Sequence, residues 1–216
     1  MDKTPPSHYV PVMRLYLSSF RLGSYSDRLL ALLGNSRRTA VVCNAMDRAP
    51  DDIRAAGVDR EIRELQAIGL DCQELDLRQS GAAEQLAGVD LIWVRGGNTF
   101  VLRRVLADSG VDSVLVELLH RDHVAYGGYS AGVCVLTPDL TDLEMVDDLT
   151  VVDRPILQGL GILDRSFVPH IRSPDHPESE RCDGLAEAYR VAARPHWALR
   201  DGQVLIVENG VPELLT

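Results

Sequence analysis

Positive charge is scarce in this sequence. Lys and Arg number 22 against 32 Asp and Glu, a formal net charge of −10 over 216 residues. Such a surface repels phosphate backbones, which argues against general nucleic-acid binding. No apolar run approaches the roughly 20 residues that cross a bilayer. The opening Met1-Asp2-Lys3-Thr4-Pro5-Pro6-Ser7-His8 carries no apolar core of the signal-peptide kind, so a cytoplasmic protein with no membrane partner is expected. Cysteine is sparse and scattered: Cys43, Cys72, Cys134 and Cys182 form no CxxC pair, and neither a zinc knuckle nor a thioredoxin-like motif is supported. Cys43 and Cys134 sit in apolar surroundings and read as buried thiols. The GxGxxG fingerprint is missing, as is any Walker-type Gly-Lys-Ser/Thr, which disfavours a nucleotide site.

What remains is a water-soluble α/β composition, 45% hydrophobic and 25% charged, at a length suited to one domain. Residues 1–11, Pro-rich and polar, read as a loose tail, and residues 12–216 as a single domain. Short apolar runs at Met13–Leu17, Thr39–Ala45, Cys72–Leu77, Val89–Val94 and His123–Gly128 read as strands. Between them, Asp27–Leu33, Asp51–Ile68, Ser80–Leu86, Thr99–Asp108 and Val111–His120 have helical spacing. A further strand is expected at Ser166–Pro169 and a last one at Gln203–Val207, with an irregular acidic stretch from 137 to 165 and a polar insertion from 172 to 181. Strands alternating with helices call for a mainly parallel sheet, helices on both faces, with chemistry at the carboxyl ends of the strands.

Two glycine-rich turns fall at that rim. Gly128-Tyr129-Ser130-Ala131-Gly132 is a GxSxG sequence where a strand runs into a helix. A sharp turn there strains the serine backbone, and its small neighbours let the chain pass closely beneath, so that the Ser130 oxygen stands above the sheet. The Ala131 N–H faces the same space and can stabilise an oxyanion. Arg95-Gly96-Gly97-Asn98-Thr99-Phe100 is the second turn, and its Gly97 N–H is the candidate second donor.

A serine hydroxyl needs a base. Among six histidines, His8 lies in the tail, His120 and His123 flank the far end of the nucleophile strand, and His196 sits in Arg194-Pro195-His196-Trp197. His170 ends the Ser166–Pro169 strand, on the rim of Ser130, and is the expected base. His176, in the polar loop, is the reserve. The third member should be a carboxylate that fixes the imidazole tautomer. Asp201, in Leu199-Arg200-Asp201-Gly202, is the candidate, and Glu144, Asp147 and Asp148 compete from the acidic stretch.

Taken together, Gly96-Gly97-Asn98-Thr99-Phe100 with Leu102, Gly128–Gly132, Pro169-His170, Arg181 and Leu199-Arg200-Asp201-Gly202 resemble the peptidase E (aspartyl dipeptidase) family of serine peptidases, whose other branch is cyanophycinase. The resemblance implies a three-layer, flavodoxin-like fold similar to class I glutamine amidotransferases, with serine in place of their cysteine. It implies Ser130 as nucleophile, His170 as base, Gly97 and Ala131 as oxyanion hole, and no metal or organic cofactor. In the family the acid is commonly glutamate in a Leu-x-Glu-Gly turn, and Asp201 matches that place. Arg181 matches the arginine that reads a substrate aspartate, and Asn98 is a further candidate substrate contact. The segment Arg172–Glu178 departs from the family pattern and is shorter. The partners expected are a small Asp-Xaa peptide and a second copy in a homodimer. Rival expectations are a cyanophycinase-like or esterase hydrolase, or a small-molecule binder that does no chemistry.

Overall fold

The computed structural model describes residues 12–216, and the expected tail at 1–11 lies outside them. Five strands build the parallel part of a seven-stranded sheet: β1 (Arg14–Ser18), β2 (Arg38–Val42), β3 (Asp71–Glu74), β4 (Leu91–Val94) and β5 (Ala125–Tyr129). All of β4 and β5 is buried, as befits strands covered on both faces. β6 (Ser166–Val168) and β7 (His196–Ala198) pair in parallel with each other, apart from the main sheet. β8 (Val204–Glu208) and β9 (Val211–Leu215) complete the large sheet in antiparallel fashion, giving the order β3-β2-β4-β5-β1-β8-β9.

Alternation along the strands supplies two cores. Tyr16, Val41, Trp93 and Tyr129 face one side, where α1 (Ser26–Leu33) and α2 (Asp51–Ala67) bring Leu29, Leu33, Val58 and Leu65. Leu15, Leu17, Val94 and Tyr126 face the other. That side is covered by α3 (Ala82–Leu86), α4 (Thr99–Asp108), α5 (Val111–His120), the four-residue α6 (Ala131–Cys134) and α7 (Ser179–Val191). The three-layer, mainly parallel fold expected from the sequence is the one observed. No helix among the described residues is long and apolar enough to cross a membrane.

Four differences matter for the site. The Ser166–Pro169 run is a strand, but of the small sheet, so His170 does not stand on the main rim by strand order. The chain continues past the expected last strand into β9, through Asn209 (φ 53°) and Gly210 (φ 74°), the left-handed pair that a two-residue hairpin requires. The polar insertion gives way to α7 from Ser179 onward, with Cys182, Leu185 and Tyr189 buried at helical spacing. The helix after Ser130 is a single turn. Stabilisation of negative charge there falls to individual N–H groups rather than to an extended helix dipole.

Candidate active site

β4 and β5 are neighbours, with Val94 paired to Gly128, so the two glycine turns emerge side by side. Ser130 has φ 51° and ψ −120°, a strained conformation for a residue with a Cβ. The surroundings enforce it. A Cβ on Gly128 would lie 2.5 Å from the Val94 carbonyl oxygen, and one on Gly132 would also strike that oxygen. The Tyr126 hydroxyl donates to the Gly132 carbonyl, and the Ser130 carbonyl accepts from Val133 and Cys134 at 2.8 and 2.9 Å. In the other turn, Gly97 has φ 150°, and a Cβ there would lie 2.6 Å from the Ala45 carbonyl oxygen. Neither the Gly97 nor the Ala131 N–H donates a hydrogen bond among the described residues.

Ser130 and His170 line one cleft of about 440 Å³. No direct hydrogen bond joins them, an arrangement common in enzyme sites before substrate binds. His170 is 1% exposed and has φ 57°. Its Nδ1 lies 2.7 Å from Asp201 Oδ1. Its backbone N–H donates to Ser19 Oγ at 2.8 Å, and Ser19 Oγ lies within hydrogen-bond reach of Asp201 Oδ1 (2.8 Å) and of the Leu199 carbonyl (3.1 Å). The Asp201 N–H donates to Ser173 Oγ at 2.9 Å. Burial pushes the Asp201 carboxyl up, but the His170 hydrogen bond and charge, with the Ser19 hydroxyl, outweigh it and hold the group below the usual carboxylate range. An ionised Asp201 places the proton on Nδ1 and leaves Nε2 free to accept.

None of the competing carboxylates hydrogen-bonds His170, whose carboxylate partner is Asp201. Glu144 is exposed. Asp148 accepts from Thr150, capping its own turn. Asp147 accepts the Thr99 N–H at 2.8 Å, and burial raises its carboxyl despite that bond and the charges of Arg181 and His170. Asn98 lines the cleft, yet its Oδ1 caps α4 by accepting from Val101 and its Nδ2 donates to the Asp148 carbonyl. Arg181 also lines the cleft, with Nη1 on the Val146 carbonyl at 2.6 Å and a side chain still 53% exposed.

The reserve histidine stacks on the expected base. The His170 and His176 rings lie 3.5 Å apart and 4° from parallel, and the Phe20 ring meets both edge-on. His170, His176 and Glu178 place donor atoms within 4.8 Å of one another. The in-plane lone pairs of two parallel rings 3.5 Å apart lie, however, in separate planes and cannot both point at one ion. Burial, then the charge on His170, lowers the His176 imidazolium. The unfolded chain takes up that proton near about pH 6.5, so the native state is favoured fully above that value. Stability is expected to fall as pH drops through it toward the lower native value. Urea midpoints across this range should flatten in His176→Asn, and an unaltered curve would exclude His176 as the source.

Ser19 and Phe20 were not expected from the sequence. Their signal was positional, since they follow β1, the neighbour of β5, at the rim where ligands collect.

Known proteins resemble this chain in sequence and in fold. The model of Peptidase family S51 matches residues 21–215. Peptidase E of Streptomyces coelicolor is 31% identical over 129 residues, 58% of this chain and 51% of that protein. An uncharacterized peptidase of Listeria monocytogenes is 30% identical over 118 residues, 53% of this chain and 57% of its own. A Drosophila melanogaster protein named probable alpha-aspartyl dipeptidase is 29% identical over 130 residues, 58% and 53% of the two chains. The matched stretches thus span a little over half of these relatives. A Listeria monocytogenes crystal structure described as a candidate peptidase E superposes with a TM-score of 0.79 at 20% identity, covering 94% of this chain and 98% of that one. A match across nearly all the described residues, together with a shared fold, assigns the family: the chain belongs to peptidase family S51.

Proposed function

We propose that this protein is a serine peptidase that hydrolyses dipeptides with an N-terminal aspartate. One observation carries the reading: a serine held in a strained turn opens into the same cleft as a buried histidine whose Nδ1 is bound to a carboxylate. Ser130 attacks the peptide carbonyl while His170 Nε2 accepts its proton. The Gly97 and Ala131 amides hold the oxyanion, His170 protonates the leaving amine, and water releases the acyl-enzyme. Asp201 keeps the imidazole oriented and compensates its transient charge. Arg181, half open to the cleft, offers a fork to the substrate's aspartate side chain. A chain of net charge −10 needs such local positive charge to attract an acidic ligand.

The test is a substrate profile: Asp-Xaa, Glu-Xaa, Asn-Xaa and blocked peptides, acyl esters, and branched Asp-Arg polymer, with native enzyme and Arg181→Ala. Native enzyme is expected to favour Asp-Xaa. Arg181→Ala should erase the preference of Asp over Asn by on the order of ten- to a hundredfold, the worth of a charge-assisted pair. Retained selectivity would remove Arg181 from recognition. Inertness toward every acyl substrate, combined with tight peptide binding, would favour a binder instead.

A further inference from the structure

Arg95, between β4 and the oxyanion turn, has no part in that mechanism. Its side chain lines the cleft with Ser130 and is 12% exposed. A guanidinium carries five N–H donors. Here Nη1 donates one hydrogen bond, to the Gly96 carbonyl at 2.8 Å. Nε is buried with no hydrogen-bond partner, alone in this among the side-chain atoms of the described residues. An ion pair at 3.4 Å ties it to Glu61 of α2, but Glu61 is already committed. Its Oε1 accepts from Trp93 Nε1 at 2.7 Å and its Oε2 from the Tyr129 hydroxyl at 2.9 Å. Nε is closed to solvent beside Glu61, so the donors left for a ligand are those of the Nη groups, of which one bond is used, and a guanidinium so placed in a cleft suits a carboxylate.

Position says which anion. The Arg95 guanidinium carbon lies on the α2 side of the sheet, 3.7 Å from where a Cβ on Gly57 would stand. Arg181 rises from α7, which covers the opposite side. Both line the cleft that holds Ser130, and they come to it from opposite faces of the sheet. We propose that Arg95 binds the α-carboxylate of the leaving residue, an inference that rests on the peptidase reading above. Arg181 and Arg95 then hold one carboxylate each on either side of the scissile bond, and the enzyme selects dipeptides with a free C terminus.

Calorimetry on Ser130→Ala protein with Asp-Leu and Asp-Leu amide tests this without turnover. The acid is expected to bind more tightly than the amide by on the order of ten- to a hundredfold. Adding Arg95→Met with Glu61→Gln, which keeps the buried pair site neutral, should bring the two ligands to parity. Arg95→Lys keeps the charge opposite Glu61 but loses the fork, and should leave an intermediate preference. Equal binding of acid and amide to the parent, binding of neither, or a preference that survives Arg95→Met/Glu61→Gln overturns the proposal. Wild-type kinetics separate the two ideas. A wild-type protein that cleaves neither peptide, while Ser130→Ala still prefers the acid through Arg95, sinks the peptidase reading and leaves the carboxylate assignment standing.

Discussion

Ser130→Ala is expected to lower kcat for Asp-Leu by on the order of 10⁴-fold or more, since a nucleophile has no substitute and only binding and oxyanion stabilisation remain. The measurement is release of free leucine under saturating dipeptide, compared with labelling by a fluorophosphonate. Native protein should take the label on Ser130 and the variant should not. The substitution removes one oxygen at a partly buried site facing the cleft, so the thermal transition should stay near that of the native protein. Undiminished hydrolysis by the variant would refute the assignment outright, because the other hydroxyl of the elbow, on Tyr129, is buried and bonded to Glu61.

The second large effect is expected at Asp201. Asp201→Asn is nearly isosteric and leaves no cavity, so its consequence is electronic. An amide at that position can donate to Nδ1, which moves the ring proton to Nε2 and removes the lone pair that must accept from Ser130. A fall in kcat of roughly 10³–10⁴-fold is expected, the scale seen when the same change is made in a well-studied serine protease. Asp201→Glu, which carries the longer carboxylate that the family resemblance implies, should retain far more activity than the amide. If both variants fell equally, or if Asp147→Asn fell further than Asp201→Asn, the third member would have to be sought elsewhere. Asp147 is the informative control because it lines the same cleft while its bond goes to the Thr99 N–H.

These expectations depend on features with unequal visibility in the sequence. α4 and α5 could be read to the residue, since Asn98, Gly110 and the apolar spacing are all local. The elbow was equally plain, because its constraint is a shortage of side-chain volume next to Val94. α7 was readable in principle, from Cys182, Leu185 and Tyr189, but its first turn continues a polar loop and masks the period. The sheet to which β6 belongs was not readable. A strand of three residues states that it is extended and is silent about its neighbour. Ser19 is less legible still: it bonds to a backbone N–H 151 positions away, and a serine beside a glycine-containing loop has many simpler uses. The same holds for Arg95 and Glu61, brought together by the docking of α2 beneath the elbow.

The proposed nucleophile and base follow strands of different sheets, Ser130 coming just after β5 of the large one and His170 just after β6 of the small one. Ser19, just past β1, touches His170, Leu199 and Asp201 at once, and so rivets the two sheets together at the point of chemistry. Catalytic alignment is therefore a property of how two independently hydrogen-bonded ladders seat on each other. Mild heat or denaturant that unseats the short ladder is expected to abolish the proposed activity while the long one, and most of the spectroscopic signal of folding, persists.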